Sequence, residues 1–208
     1  IGESKAALIS EVNLSFEDLI QDAQQWVQIL KENKKFSKII IIGHSEGSLI
    51  GMNAAKNANG FISLAGAGRS ADLILKEQLG AQPKQIQDLC FPIIDSLTAG
   101  KLVDNVNPML NSLFRSSVQP YMISWFKHNP QQDIKQLKFP CLIIQGDNDL
   151  QVSISDARLL AEVKKNNQLV IIEKMNHVFK IIDSGDRSAN VAAYSDPSMP
   201  ISTGLAEE

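Results

Sequence analysis

The alternation of short apolar runs with longer amphipathic segments constrains the fold of this sequence more than any other feature. Four runs have strand length and a largely aliphatic, β-branched composition. They are Lys38–Ile42, Phe61–Leu64, Cys141–Ile144 and Leu169–Ile172. Continuous apolar runs of this kind are typical of parallel strands that are covered on both faces. Strands that alternate with helices predict a parallel α/β sheet.

Two of the helical segments carry start signals of their own. Ser15–Asp18 has the spacing of a capping box, and apolar residues at helical spacing follow, which predicts a helix from about Phe16 to Asn33. Ser153–Asp156 repeats the capping spacing ahead of a helix that we expect to end near Lys164.

A long segment between the second and third strands, Ser70 to Asn129, has helical patterns and no strand signal. The helical pieces are Ala71–Leu79, Gln85–Leu97, Pro108–Ser116 and Pro120–Lys127. The segment is too long for a simple crossover between parallel strands. We therefore predict that residues 70–129 form an inserted helical cap, and that residues 1–69 and 130–208 form the sheet core.

Composition excludes several classes of function. The chain has 208 residues, a formal net charge of −3 and a pI of about 5.7, which argues against nucleic acid as a partner. No apolar run approaches the length of ~20 residues that a membrane helix needs. Cys90 and Cys141 do not form a disulfide framework, and no cluster has metal-ligand spacing, so we predict no cofactor. The sequence decides neither localisation, cytoplasmic or exported, nor oligomeric state.

The segment that follows the first strand, Gly43-His44-Ser45-Glu46-Gly47, fits the pattern G-x-S-x-G. Between a strand and a helix, this pattern places the serine in a sharp, strained turn with its hydroxyl exposed. Small flanking residues are needed because the backbone nearly touches itself there. The helix N-terminus supplies N–H groups and a positive dipole end, which favour a developing oxyanion. We predict Ser45 as a nucleophile and the N–H of Glu46 as an oxyanion donor.

A serine nucleophile needs a base to accept its proton, and the chain has three histidines. His44 is adjacent to the serine and is expected to point elsewhere, whereas His128 is expected in a surface turn. His177 follows the fourth strand, so its loop can reach the same sheet edge as Ser45. An acid must orient the imidazole. Gly146-Asp147-Asn148-Asp149 follows the third strand at that edge and offers two carboxylates.

Together these residues resemble the α/β-hydrolase superfamily, in particular bacterial esterase-like members with G-H-S-E-G at the turn. The chain order serine, acid, histidine is the order found in that family. The family's acid usually lies in a G-x-x-D pattern, which Gly146 and Asp149 match, so the resemblance implies Asp149 rather than Asp147. Asn176-His177 is similar to the family's histidine loop. The resemblance implies an α/β-hydrolase sheet with an inserted cap.

The resemblance covers the sequence from about Phe16 onward and departs from the family before that point. A full member has about eight strands, and this sequence has signals for the last four. Gly2-Glu3-Ser4 resembles the end of a Gly-rich turn in that family. In the family, this turn precedes the helix that leads to the strand before the nucleophile. We therefore expect the first strands and a second oxyanion donor upstream of Ile1, and we expect Ile39–Ile42 to have a strand on one side only.

The predicted function is hydrolysis of a small carboxylic ester through an acyl-serine, with Ser45, His177 and Asp149 as nucleophile, base and acid. Thioester, lactone and peptide substrates use the same machinery and stay open. An inactive fragment and a non-catalytic binding module are the alternatives to an enzyme. Arg69 follows the second strand and is a candidate for substrate contact, with a plain turn as the alternative. Trp125 and Phe126 are candidates for an acyl pocket, with cap core as the alternative.

Overall fold

The computed structural model describes residues 10–183 and 185–207 of the chain, and it contains a four-stranded parallel sheet. The strands are β1 (Ile40–His44), β2 (Gly60–Leu64), β3 (Cys141–Gly146) and β4 (Gln168–Ile172). They lie side by side in the order β1-β2-β3-β4, and each neighbouring pair is parallel. The predicted parallel α/β sheet is therefore confirmed.

Helices occupy the connections between the strands, as the alternating pattern predicts. The α-helices are α1 (Phe16–Glu32), α2 (Glu46–Ala54), α3 (Ala71–Gly80), α4 (Lys84–Thr98), α5 (Asn111–Phe114), α6 (Gln119–Phe126), α7 (Pro130–Lys135), α8 (Ile154–Glu162), α9 (Arg187–Ala193) and α10 (Thr203–Glu207). Both capping boxes form. The N–H of Ser15 donates to the carboxylate of Asp18 at 2.7 Å, and Ser153 Oγ accepts from the N–H of Asp156 at 3.3 Å.

The described chain divides into two compact units. One is helical and comprises residues 10–22 and Ser70–Asn129. Its core consists of apolar side chains from α3 to α6, namely Ala71, Cys90, Ile93, Ile94, Leu97, Leu110, Phe114, Met122 and Phe126. The other unit holds the sheet and comprises Ala23–Arg69 with residues 130–207. The helix predicted over Pro108–Ser116 is a 3₁₀ turn, Pro108–Leu110, that leads into the short α5.

In the sheet unit, α2 packs closely on one face of β1 and β2. A side chain at Gly51 would come within 3.0–3.1 Å of Phe61 and Ile41, so the helix lies close to the strands and a larger residue would push these side chains aside. Ser48 Oγ on the same helix and Ser63 Oγ on β2 share a hydrogen bond of 2.7 Å. This close contact fixes the N-terminus of α2 relative to the end of β1.

The first strand begins two residues later than the apolar run predicts. Pairing with β2 starts at Ile40, opposite Gly60, whereas the N–H of Ile39 donates instead to the side chain of Asn59 at 2.9 Å. Among the described residues, β1 pairs only with β2 and lies at one edge of the sheet. Ile40 and Ile42 are 57% and 62% exposed. The expectation that both faces of this strand are covered is therefore wrong for β1.

The described residues contain no helix that is long and apolar enough to cross a membrane. Within the same ranges, no group of three or more histidine, cysteine or acidic side chains is arranged to hold a metal ion. Cys90 and Cys141 are buried free thiols. Gly2-Glu3-Ser4, which carries part of the resemblance, lies outside the described residues.

Candidate active site

The candidate site begins at the sharp turn between β1 and α2. Ser45 is the single residue between them, and its backbone has φ 55° and ψ −123°. Positive φ is unfavourable for a residue with a side chain and persists only where neighbouring contacts impose it. Here the N–H of Ser45 donates to the carbonyl of Leu64 at 2.9 Å, and the Ser45 carbonyl accepts from Ser48 N–H at 2.9 Å. A side chain at Gly43 would collide with the backbone of Gly47, which explains the first glycine of the motif.

The side chain of His177 lies between Ser45 and Asp149. Its Nε2 is 3.0 Å from Ser45 Oγ, and its Nδ1 is 2.8 Å from Asp149 Oδ2. The side chains of His177 and Asp149 are 5% and 1% exposed. Because the carboxylate can only accept, Nδ1 carries the hydrogen of the neutral imidazole, and Nε2 is left as an acceptor for the serine hydroxyl. The structure thus brings the three predicted residues together in one hydrogen-bonded line.

Four donors converge on the carboxylate of Asp149. Oδ1 accepts from the N–H groups of Gln151 at 2.7 Å and Val152 at 3.0 Å. Oδ2 accepts from His177 and from the side-chain amide of Gln145 at 2.9 Å. With every lone-pair direction used, the carboxylate has one orientation, and that orientation fixes the ring of His177.

Asp147, the other carboxylate of this loop, has a different set of contacts. Its Oδ1 accepts from the backbone N–H of Lys174 at 2.5 Å, and its own N–H donates to the carbonyl of Ile172 at 3.2 Å. These bonds join the loop after β3 to the loop after β4. A side chain at Gly146 would collide with the backbone of Met175, so the two loops touch directly.

Gln145 is a residue of this site that sequence reasoning missed. It is fully buried at the end of β3, and three acceptors surround its Nε2: Asp149 Oδ2, the Gly146 carbonyl and the Val152 carbonyl. Because all three only accept, the amide nitrogen must face them. A polar residue in an otherwise apolar strand run is the signal that could have indicated it.

The expectation that His44 points away from the site is wrong. Its ring lies 4.9 Å from the ring of His177 and 4.5 Å from that of Phe179. Its Nε2 donates to the backbone carbonyl of His177 at 2.9 Å. Burial lowers the pKa of His44, which keeps the ring neutral next to His177. His44 therefore ties the end of β1 to the loop that carries His177.

Arg69 lies in the loop after β2 and is bound to α8. Its guanidinium donates through two nitrogens to the carboxylate of Asp156, at 2.9 and 2.6 Å. Burial by itself would raise the pKa of Asp156, but hydrogen bonds from Arg69 and Ser153 outweigh it, and the pKa is lowered. This ion pair gives Arg69 a structural role. Contact between Arg69 and substrate stays a prediction.

The aromatic candidates belong to the helical unit. Phe126 is buried in its core, whereas Trp125 stacks on Phe16 with ring centroids 6.1 Å apart. His128 also packs on Phe16, at 4.9 Å, and only 17% of its side chain is exposed, so it does not lie in a surface turn. These contacts give all three a packing role, and an acyl pocket at Trp125 and Phe126 remains a prediction.

Comparison with known proteins gives a sequence relative and the fold of the chain. No protein-family model matches the chain. It is 27% identical over 192 residues to Esterase EstD from Thermotoga maritima, in an alignment that covers 85% of this chain. That alignment covers 43% of the relative, so the chain spans less than half of the length of the curated relative that it matches.

Solved structures with the same architecture are more distant in sequence. An alpha/beta fold family hydrolase from Bacillus anthracis str. Sterne is 16% identical, with a TM-score of 0.54 over 85% of this chain and 72% of that one. A lipase-esterase related protein from Clostridium acetobutylicum is 18% identical, with a TM-score of 0.53 over 93% and 77%. The chain has the α/β-hydrolase fold. The four-stranded parallel sheet with its surrounding helices fits that fold.

Proposed function

We propose that this protein is a serine hydrolase that cleaves carboxylic esters through an acyl-serine intermediate. The observation that carries the proposal is the line of two hydrogen bonds from Ser45 Oγ through His177 to Asp149, at 3.0 and 2.8 Å. The serine is held at the end of a strand in a backbone conformation that serines rarely adopt. Similarity to an esterase adds weight to an ester as substrate.

In each step of the proposed reaction, His177 accepts or donates the proton that is transferred. Ser45 Oγ attacks the ester carbonyl carbon as its proton passes to His177 Nε2, and a tetrahedral oxyanion forms. The carbon–oxygen bond to the alcohol then breaks, and His177 gives its proton to that oxygen. Water attacks the acyl-serine, transfers a proton through His177 back to Ser45, and releases the carboxylic acid. Asp149 stabilises the imidazolium at both stages without taking its proton.

The oxyanion needs hydrogen-bond donors that are in place before it forms. Glu46 is the first residue of α2, so its N–H stands at the positive end of the helix dipole, next to Ser45. We assign this N–H as one donor of the oxyanion hole. One such donor is typically worth ~10²–10³ in kcat.

Covalent labelling tests the proposal. The protein is treated with a fluorophosphonate, and we expect the intact mass to rise by one adduct, which peptide mapping places on Ser45. Ser45→Ala should abolish both the adduct and the hydrolysis of p-nitrophenyl acetate. His177→Ala should lower the labelling rate about as far as it lowers turnover, because residues of such a unit act together. Exposed Ser195, changed to Ala, is the matched control and should change neither. An adduct on another serine, or no adduct on a folded protein, would refute the proposal.

A further inference from the structure

Three asparagines form a connected polar network beside the candidate site. They are Asn148 in the loop after β3, Asn176 in the loop after β4 and Asn190 on α9. Asn176 and Asn190 are each 1% exposed. Two of the three directly precede a site residue in the chain, since Asp149 follows Asn148 and His177 follows Asn176. The network therefore touches both loops that carry the partners of Ser45.

Asn190 is the member that joins the two loops. Its Nδ2 donates to the backbone carbonyl of Asn148 at 2.7 Å, and its Oδ1 accepts from Nδ2 of Asn176 at 3.2 Å. A carbonyl can only accept, so the first bond fixes which end of the Asn190 amide carries the nitrogen. Both ends of one buried amide are thus used, one on each loop.

The side chain of Asn176 organises the turn in which His177 lies. Its Oδ1 accepts from the N–H groups of Val178 at 3.1 Å and Lys180 at 2.9 Å, and its backbone N–H donates to the Lys180 carbonyl at 2.9 Å. The remaining donor of this amide goes to Asn190. A shift of Asn176 would move the backbone of His177 with it.

Asn148 has the corresponding role in the loop after β3, which carries Asp149. Its N–H donates to the carbonyl of Met175 at 3.1 Å, and its Nδ2 donates to the carbonyl of Ile182 at 3.3 Å. Its own carbonyl accepts from Asn190. The position of Asp149 is set through this backbone, since Asp149 is the next residue.

The helix α9 is itself held in place, so it can serve as a fixed support. Asp186 caps its N-terminus by accepting from the N–H of Ser188 at 2.8 Å. The buried ammonium of Lys180 donates to the carbonyls of Ala193, at 2.7 Å, and Asp196. Asn190 therefore extends from an anchored helix rather than from a free segment.

We infer that Asn190 is a positioning residue that holds the loop after β3 and the loop after β4 in register, so that Asp149 and His177 meet at 2.8 Å. It touches no reacting atom and acts through Asn148 and Asn176. The consequence for rate rests on the proposed function, because it requires His177 to act as a base. A displacement of about 1 Å at such a contact can cost ~10²-fold in rate. Precise sites need this kind of support from the residues around them.

The test uses Asn190→Asp, which keeps the shape of the side chain. One carboxylate oxygen still accepts from Asn176, but the other faces the Asn148 carbonyl without a hydrogen to donate. We expect kcat for p-nitrophenyl acetate to fall about 10- to 100-fold while KM changes less than about 2-fold. Asn190→Ala removes both bonds without adding a charge and should lower kcat in the same direction. Val191→Ala, at an exposed neighbour on α9, is the matched control and should leave kcat unchanged.

A spectroscopic measurement separates this inference from the proposed function. The proton on His177 Nδ1, held by a carboxylate, should give a far-downfield ¹H NMR signal that His177→Ala removes. We expect Asn190→Asp to shift or broaden this signal and Val191→Ala to leave it unchanged, whether or not the protein hydrolyses esters. Absence of fluorophosphonate labelling in the parent protein would refute the proposed function alone. An unshifted signal in folded Asn190→Asp and Asn190→Ala, with kcat as in the parent, would overturn the inference.

Discussion

At the scale of single residues, the candidate site is defined by which polar atoms can accept and which can donate. The carboxylate of Asp149 receives four hydrogen bonds, and this fixes the tautomer of His177. His44 and Gln145 add a donor each, one to the His177 carbonyl and one to Asp149. His44 thus restrains the backbone of His177, and Gln145 restrains the carboxylate that binds its ring.

The two carboxylates of the loop after β3 provide a prediction at this scale. Asp149→Asn should lower kcat by roughly 10³–10⁴-fold, because an amide at this position favours the tautomer with the hydrogen on Nε2. Asp147→Asn should change kcat less than about 3-fold, because its side-chain oxygen can still accept from the N–H of Lys174. Steady-state hydrolysis of p-nitrophenyl acetate by the two folded variants measures the difference. The reverse ranking would transfer the acid role to Asp147.

At the scale of elements, the ends of the parallel strands position the site. Ser45 follows β1, Asp149 follows β3 and His177 follows β4, so parallel pairing brings all three to one edge of the sheet. The loops after β3 and β4 are then joined backbone to backbone at Gly146 and Met175. Asp156, on α8, holds the loop after β2 by accepting from the N–H of Gly68 and from Arg69.

Asp156→Asn tests this support. Removing one partner of a buried ion pair costs ~3–5 kcal/mol, and we expect the lower end because the Arg69 side chain is 29% exposed. Since the pKa of Asp156 is lowered in the folded state, its contribution is complete above the ordinary carboxyl pKa near 4 and is lost as the pH falls. The difference in unfolding free energy between parent and variant should therefore shrink from pH 7 to pH 3, as measured by urea denaturation.

The ion pair between Glu11 and Arg115 is the control for that experiment. Its side chains are 40% and 43% exposed, so Glu11→Gln should destabilise the fold much less than Asp156→Asn does at pH 7. Equal losses from Glu11→Gln and Asp156→Asn would contradict a special role for the buried pair.

At the scale of the whole molecule, the chain is a helical unit and a sheet unit, and the sheet has an apolar edge among the described residues. Ile40 and Ile42 on β1 are more than half exposed. An exposed apolar edge strand promotes association between molecules.

Changing Ile42 to Thr should reduce self-association at high protein concentration and alter the unfolding free energy by less than about 0.5 kcal/mol, because this side chain is 62% exposed. Light scattering over a concentration series measures the first effect, and urea denaturation measures the second. Ile41→Thr, on the face that packs near Gly51, should instead destabilise the fold. Undiminished association in Ile42→Thr would exclude the Ile42 side chain as the contact.

The sequence by itself determined the local features of this protein. Strand length, β-branched composition and capping spacing are properties of neighbouring residues, and they predicted β2, β4, α1 and α8 to within two residues. The motif around Ser45 is local too, because Gly43 is needed where the backbone turns back on itself. The alternation of strands and helices then implied a parallel sheet with Ser45 and His177 at one edge.

Only the tertiary structure decided how side chains far apart in the sequence meet. The contact between His44 and His177 spans 133 residues, and the bond between Asn190 and Asn148 spans 42. No periodicity encodes such pairs, because each depends on the distance between loops that the sheet register sets. The ends of β1 were decided in the same way, since the ladder with β2 begins only where Ile40 meets Gly60. The supporting residues of the site were therefore invisible in the sequence, although its central serine was not.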